Sequence, residues 1–405
     1  MALLPQSPPA RLLPRACTSR RRPSAISARL ATEPVAGSRS LAALAAAAVV
    51  ALSSCAPALA ALSNPNTRLP SNASIALRRS LPRVNADTAA VVGRLEDVLS
   101  LLRIPQRKPW GTVASDVESA HAAIRASGGS MLLSVPSSRR DAGLALLETL
   151  ETRLDSVAVA VAAQDADATA SRCTATLAVL AELEQLQAPG LTFSIPAAYA
   201  ALPRLTGRAT VELQVAQKSG PGGRLVLELD GYNAPLTAGN VAALVKRGFY
   251  DGVALTGSLA DEALFAVPGR PSPLRASLPL EVRAQGDFEP RWRSPLDIFD
   301  GGGELPVLPL SVYGAVAASR GPQAAESDGA GLFLYRFHKQ DAGLGGLSFS
   351  EGEFAVAGYV TSGGDLLRQL HDGDTIRSAR IVKGEENLVL PTGPGAVPPA
   401  EEVTL

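Results

Sequence analysis

The chain has 405 residues, 38 basic and 38 acidic side chains and no formal net charge, so its length allows two or three domains. The charge is unevenly placed: residues 1–60 hold seven Arg and one acid, Glu33, leaving 31 basic against 37 acidic residues downstream. A downstream net charge of about −6 gives no electrostatic reason for nucleic-acid or anionic-membrane binding, and excludes neither enzymes nor binding proteins.

The first forty residues are rich in Arg, Ser and Pro, the composition of an organellar transit peptide. Leu41–Leu52 (LAALAAAAVVAL) follows, an apolar run shorter than the ~20 residues that span a bilayer. It reads as a signal h-region, with Ala58-Leu59-Ala60 as a small-x-small cleavage site. A transit-like segment followed by a signal means two membranes crossed in series, the route to the chloroplast thylakoid lumen. The single Arg39 before the run favours a Sec-type over a twin-arginine route. Leu52-Ser53-Ser54-Cys55 also resembles a bacterial lipidation box, an alternative that the long basic leader disfavours. Residues 1–60 are therefore expected to be a bipartite targeting peptide outside any domain, 61–84 a linker, and the protein not an integral membrane one, with room for peripheral association.

Cleavage after Ala60 leaves Cys173 alone, on the apolar stripe of a predicted helix, where a buried small hydrophobe is the expected role. His121, His338 and His371 lack metal-ligand spacing, so neither a metal nor another cofactor is expected.

Residues 85–190 read as a helical bundle. Val91, Leu95, Val98, Leu99 and Leu102 stripe a first helix that Ile104-Pro105 ends. Ser115-Asp116-Val117-Glu118 resembles a capping box opening a second helix to about Ala126, which Gly128-Gly129 would stop. Leu144, Leu147, Leu150, Leu154, Val157 and Val161, then Ala166, Ala170, Cys173, Leu177 and Leu180, mark two more helices whose stripes must bury one another. Between the first two, Arg103, Arg107, Lys108 and Trp110 share a proline-stiffened loop. It can serve as a docking patch, since Arg and Trp are favoured interface anchors, or its Trp can plug the bundle.

After Pro189-Gly190 the hydrophobic period falls from about 3.6 to 2. Thr210–Val215 and Arg224–Leu229 alternate on either side of a Gly/Pro turn, a β-hairpin. Thr237–Arg247 is a helix with Thr237 as candidate N-cap. Strands are expected at 278–282, 314–318, 332–337, 354–360 and 378–382, a second helix at 364–370, and a frayed tail over 391–405. The fold class is α+β: an all-α bundle followed by a closed antiparallel barrel with two helices.

The run Gly223 to Asn240, with its Pro235-Leu-Thr-Ala-Gly-Asn240 core, followed by Phe249-Tyr-Asp-Gly252, resembles the opening of a cyclophilin domain. Tyr313–Ala318 resembles that family's central strand, Phe354–Val360 its late strand, and Gly373-Asp374 with Ile376 its closing segment. The resemblance covers residues 208–390, and the preceding bundle is similar to that of plant thylakoid-lumen cyclophilins. It implies catalysis of rotation about X-Pro bonds, protein or proline-containing peptide partners in the lumen, and roles in protein folding and photosynthesis. In the family an Arg after Phe-His polarises the prolyl amide; those places here read Leu255, Thr256 and Gly257. The Ser-Gln-Phe-Phe strand reads Ala330-Gly331-Leu332-Phe333, and the pocket His is Phe354. No catalytic residue is assigned, and Arg270 and Arg275 lie out of place. Leu255, Gly257, Gly331, Phe333 and Phe354 mark a degenerate peptide groove whose residues can equally be barrel core. Two readings stay open: a weak or inactive cyclophilin acting as a binding, chaperone or assembly factor for photosynthetic complexes, or an active isomerase with a rearranged site.

Overall fold

The computed structural model describes residues 69–391, apart from 106, 260–261, 276, 299–303, 322–323, 339–341 and 343–345. The targeting peptide read over 1–60 and the tail beyond Pro391 lie outside the described residues. All described residues belong to one compact unit, Ala58–Leu405.

The segment read as a linker contains a helix, α1 (Ala73–Arg79), which corrects that expectation. Asn72 caps it, its side chain accepting from the Ile75 N–H at 3.0 Å. Ala73, Ala76 and Leu77 are buried in the cluster that covers the outer face of the barrel. Seven residues are too few for a periodic stripe, and only packing against residues far along the chain makes the helix worth forming.

Four long helices follow: α2 (Ala86–Leu102), α3 (Trp110–Leu133), α4 (Arg140–Ala162) and α5 (Ala166–Gln187). They share one core that includes Leu95, Val117, Ile124, Leu150, Cys173 and Leu180. Helix α3 corrects two expectations. It opens at Trp110, right after Pro109, and it runs through Gly128-Gly129 to Leu133. A Cβ at Gly128 would lie 3.6 Å from Leu147, so α4 passes closely there. Fully buried Met131 lies one turn on, and its burial outweighs the ~1 kcal/mol propensity cost of each glycine. Cys173 is buried in this core, and burial pushes its thiol up to about 12.

The second half is a barrel. Its strands are β2 (Arg208–Ala216), β3 (Gly223–Asp230), β4 (Val253–Ser258), β5 (Ala263–Ala266), β9 (Ala315–Ala318), β11 (Leu332–Tyr335), β12 (Val356–Ser362) and β13 (Thr375–Lys383). They close in the order β11-β5-β4-β13-β2-β3-β12-β9, which leaves no free edge within the barrel. Three short ladders pair β1 (Arg204–Leu205) with β14 (Leu388–Val389), β6 (Ser277–Pro279) with β10 (Glu326–Asp328), and β7 (Glu281–Val282) with β8 (Arg291–Trp292). Helix α6 (Pro235–Lys246) plugs one end, and α7 (Gly364–Gln369) precedes β13.

Thr237 is not the N-cap of α6. Pro235 opens the helix, and the buried carboxylate of Glu281 accepts from Leu236 N–H (3.2 Å), Thr237 N–H (2.8 Å) and the Thr237 hydroxyl (2.8 Å). A side chain 44 residues away thus does what a local cap does elsewhere, which chain-local reading cannot anticipate.

Bundle and barrel meet along a polar seam. Asp230, fully buried, accepts from Ser80 Oγ (2.5 Å), Arg208 Nη2 (3.2 Å) and the Asn233 backbone (3.1 Å). The Arg208 guanidinium also donates to the Leu77 carbonyl at the end of α1. Arg78 pairs with Glu96 of α2 at 2.8 Å, tying α1 to the bundle.

Candidate functional site

Strands β4, β5 and β11 lie side by side, with Gly257 opposite Leu264 and Phe265 opposite Phe333. Side chains alternate across these strands. Leu255 therefore points into the barrel and belongs to one core with Tyr250, Leu264 and Val316; of the two readings left open for it, barrel core is the one its burial fits. The next strand positions, Thr256 and Gly257, are exposed and half-buried.

The outer face carries an aromatic cluster. The Phe333 ring centroid lies 5.1 Å from Phe265 and 5.0 Å from Phe354, the latter edge-to-face at 80°. Tyr335 stands 6.2 Å away on the same strand. Phe333 is left with 0% exposure, and Phe354 with 9%. Leu308, Leu310 and Val312 complete the cover. Their segment is held by Glu351, which accepts from the N–H groups of Leu310 (2.7 Å) and Ser311 (2.6 Å), while Tyr359 Oη donates to the Pro309 carbonyl at 2.9 Å. Tyr335 Oη bonds Glu262 and, at 2.8 Å, Ser348; burial pushes its phenol up.

The two glycines in this region differ physically. A Cβ at Gly257 would meet nothing within 4 Å, and the Gly257 N–H donates to Asp372 at 3.2 Å. A Cβ at Gly331 would lie 2.2 Å from Ser319 Oγ and 2.8 Å from Asp328 Oδ2. The first place has room for a Cβ. The second has been closed by its neighbours, so no longer residue fits without moving Ser319.

A guanidinium does approach the cluster, from a residue that sequence reading missed. Arg320 Cζ sits 5.8 Å over the Phe354 ring, while its Nη1 donates to the Glu353 carbonyl at 2.8 Å. Phe265 was also missed: its strand reads ALFA, apolar throughout, with no alternation to mark it. Arg270 is elsewhere, stacked 4.9 Å over Phe249 and donating to its carbonyl.

The basic loop is divided. Arg103 follows α2 and is exposed, as is Arg107; Lys108 donates to the Ile104 carbonyl. Arg103 and Lys108 line a cleft of about 1820 Å³ between bundle and barrel, floored by α5. Trp110 belongs to α3, packs partly against the bundle core and lines a separate hollow of about 440 Å³. The four residues therefore do not form one surface patch.

No group of three or more His, Cys, Asp or Glu among the described residues is placed to hold a metal ion. None of the described helices is long and apolar enough to cross a membrane.

Comparison with known proteins agrees with this architecture. Residues 72–187 match the PsbQ-like domain model of CYP38-like peptidyl-prolyl cis-trans isomerases, and residues 210–386 match the cyclophilin-type isomerase model. The chain is 41% identical over 351 residues to the chloroplastic peptidyl-prolyl cis-trans isomerase CYP37 of Arabidopsis thaliana, spanning 83% of this chain and 74% of that protein. It is 32% identical over 326 residues (77% and 83%) to the Synechocystis protein sll0408, named for the thylakoid lumen and the same activity. It is 29% identical over 330 residues (78% and 75%) to chloroplastic CYP38 of Arabidopsis thaliana. The chain belongs to the cyclophilin-type peptidyl-prolyl cis-trans isomerase family, in the chloroplast thylakoid-lumen group whose barrel follows a PsbQ-like helical domain.

Proposed function

We propose that this cyclophilin has little or no isomerase activity and acts in the lumen as a binding, chaperone or assembly factor for photosynthetic complexes. Rotation about an X-Pro bond faces a barrier of ~18–20 kcal/mol, and catalysis needs a donor at the prolyl nitrogen and a slot that grips the ring. Gly257 provides no donor side chain at the family's position. The observation that carries the reading is Phe333, whose surface is covered by Phe265, Phe354 and their neighbours where the ring would lodge. Proline-bearing partner segments are then held by shape on the surrounding surface and not turned over.

Arg320 favours the second reading, an active isomerase with a rearranged site, because its charge lies against the same aromatic cluster. A protease-coupled assay on proline-containing peptides separates the two, using the chain from Ala61 to Leu405. The expected result is the uncatalysed rate, with relaxation over tens to hundreds of seconds. Acceleration that Arg320→Ala removes would establish the second reading instead.

A further inference from the structure

The helical half holds a hollow in which the barrel has no part. It measures about 440 Å³, lies between the first turns of α3 and the last turns of α4, and is lined by no barrel residue. Small side chains create it. Gly111 and Ala114 of α3 and Ala158 and Ala162 of α4 leave open a groove that larger residues would fill, over a floor of buried Val117 and Val161. A Cβ at Gly111 would meet nothing within 4 Å. Half-buried Trp110 walls one end, and a tryptophan so placed is a favoured interface anchor.

The other end is acidic. Glu118 lines the hollow, is exposed, and has no pairing partner among the described residues. His121 Nε2 lies 3.6 Å from Asp155 Oδ1, too far for a hydrogen bond, so the Asp155 side chain, 66% exposed, stays open to another donor. No Lys or Arg lines the hollow, and the loop cations Arg103 and Lys108 lie on the separate cleft. One turn beyond, exposed Arg125 on α3 is matched by exposed Glu151 on α4. The start of α3 and the end of α4 carry opposite partial charges that offset, so Glu118 and Asp155 set the sign. Trp110 and Glu118 stand two turns apart, about 12 Å along α3.

We infer that this hollow is the docking groove for an amphipathic helix of a partner protein. That helix seats a bulky apolar residue against Trp110 and, two turns away on the same face, an arginine at Glu118 and Asp155. The small residues let its backbone come close, and two of its own turns, about 11 Å, match the span between the aromatic and acidic ends. A guanidinium suits the acidic end, because its several donors serve two carboxylates and its stem rests on apolar surface. The inference does not depend on whether the barrel catalyses.

The test titrates the chain from Ala61 to Leu405 with a capped, alanine-rich helical peptide carrying Leu and Arg two turns apart on one face. The indole N–H resonance of Trp110, assigned through Trp110→Phe, reports binding, and Trp292 in the barrel is the internal control. The Arg peptide should shift Trp110 saturably and leave Trp292 in place. Gln in place of the peptide Arg should weaken binding about two- to fivefold, and Glu should weaken it further. Glu118→Gln/Asp155→Asn, both at exposed positions, should erase the difference between the Arg and Gln peptides. Ala158→Leu, also exposed, fills the hollow and should abolish the shift with every peptide at unchanged Tm. The inference is overturned by an unmoved Trp110, by a Glu peptide that binds as tightly as the Arg peptide, by an Arg preference that survives the double variant, or by binding indifferent to Ala158→Leu.

Discussion

Gly257→Arg returns the family's guanidinium to its place, and the structure sets what this should and should not do. The new Cβ meets nothing within 4 Å, so no neighbour has to move to admit it, and the strand around it is partly solvent-facing, which leaves the longer chain a way out to water. A glycine inside a strand costs ~0.5–1 kcal/mol relative to alanine, so the substitution should leave stability unchanged or raise it by up to ~0.5 kcal/mol. At roughly 2–4 °C per kcal/mol, the expected Tm change is between zero and about +2 °C. Gly331→Gln is the contrast. Its Cβ would approach Ser319 Oγ to 2.2 Å, so ~1–3 kcal/mol of overpacking should lower Tm by roughly 2–12 °C. Thermal unfolding of both variants measures this difference. Gly257→Arg should still not accelerate prolyl isomerisation, because Phe333 stays covered by Phe265 and Phe354. A Tm drop beyond about 5 °C in Gly257→Arg would refute the steric reasoning, and peptide turnover by this single variant would refute the account of the groove.

Three further outcomes are expected. Phe333→Ala removes a fully buried ring from the aromatic cluster and should cost ~3–5 kcal/mol in urea unfolding; a loss under 1 kcal/mol would mean that the cluster is loosely packed. Arg208→Met strands the fully buried Asp230 and should cost ~3–5 kcal/mol, much of it recovered in Arg208→Met/Asp230→Asn, as a double-mutant cycle can read out. Glu281 is fully buried, and burial pushes it up to about 7 against the three donors it accepts. Its folded value is raised, so its contribution is complete below about pH 4.5 and is lost as pH rises through 7. That loss is of order 3 kcal/mol. Unfolding free energies from pH 4 to 8 should show a shallower slope in Glu281→Gln than in the unsubstituted chain.

Much of the architecture is written locally. The order of an Arg-rich leader and a twelve-residue apolar run, the change of period after Gly190, and the Pro235–Asn240 motif each need only neighbouring residues to be read. The same holds for the missing arginine, since Gly257 stands at a countable distance from Tyr250-Asp251-Gly252. Helix α1 and strands β4 and β5 escaped: seven residues are too few for a helical stripe, and VALTGS and ALFA carry no alternation of apolar and polar residues. The stop expected at Gly128-Gly129 gave way to helix packing, a tertiary term larger than propensity.

Sequence by itself determined the two-part α+β plan, the barrel framework and the absence of the family's arginine, because spacing and hydrophobic period are properties of adjacent residues. Only tertiary structure decided that Leu255 faces inward, that Ser319 closes the space beside Gly331, and that Phe265 and Phe354 cover Phe333. It alone placed Glu281 at the start of α6. These depend on contacts between residues tens of positions apart, and whether a buried group is covered, clashed or left without a partner is set by distance in space, on which separation along the chain is silent.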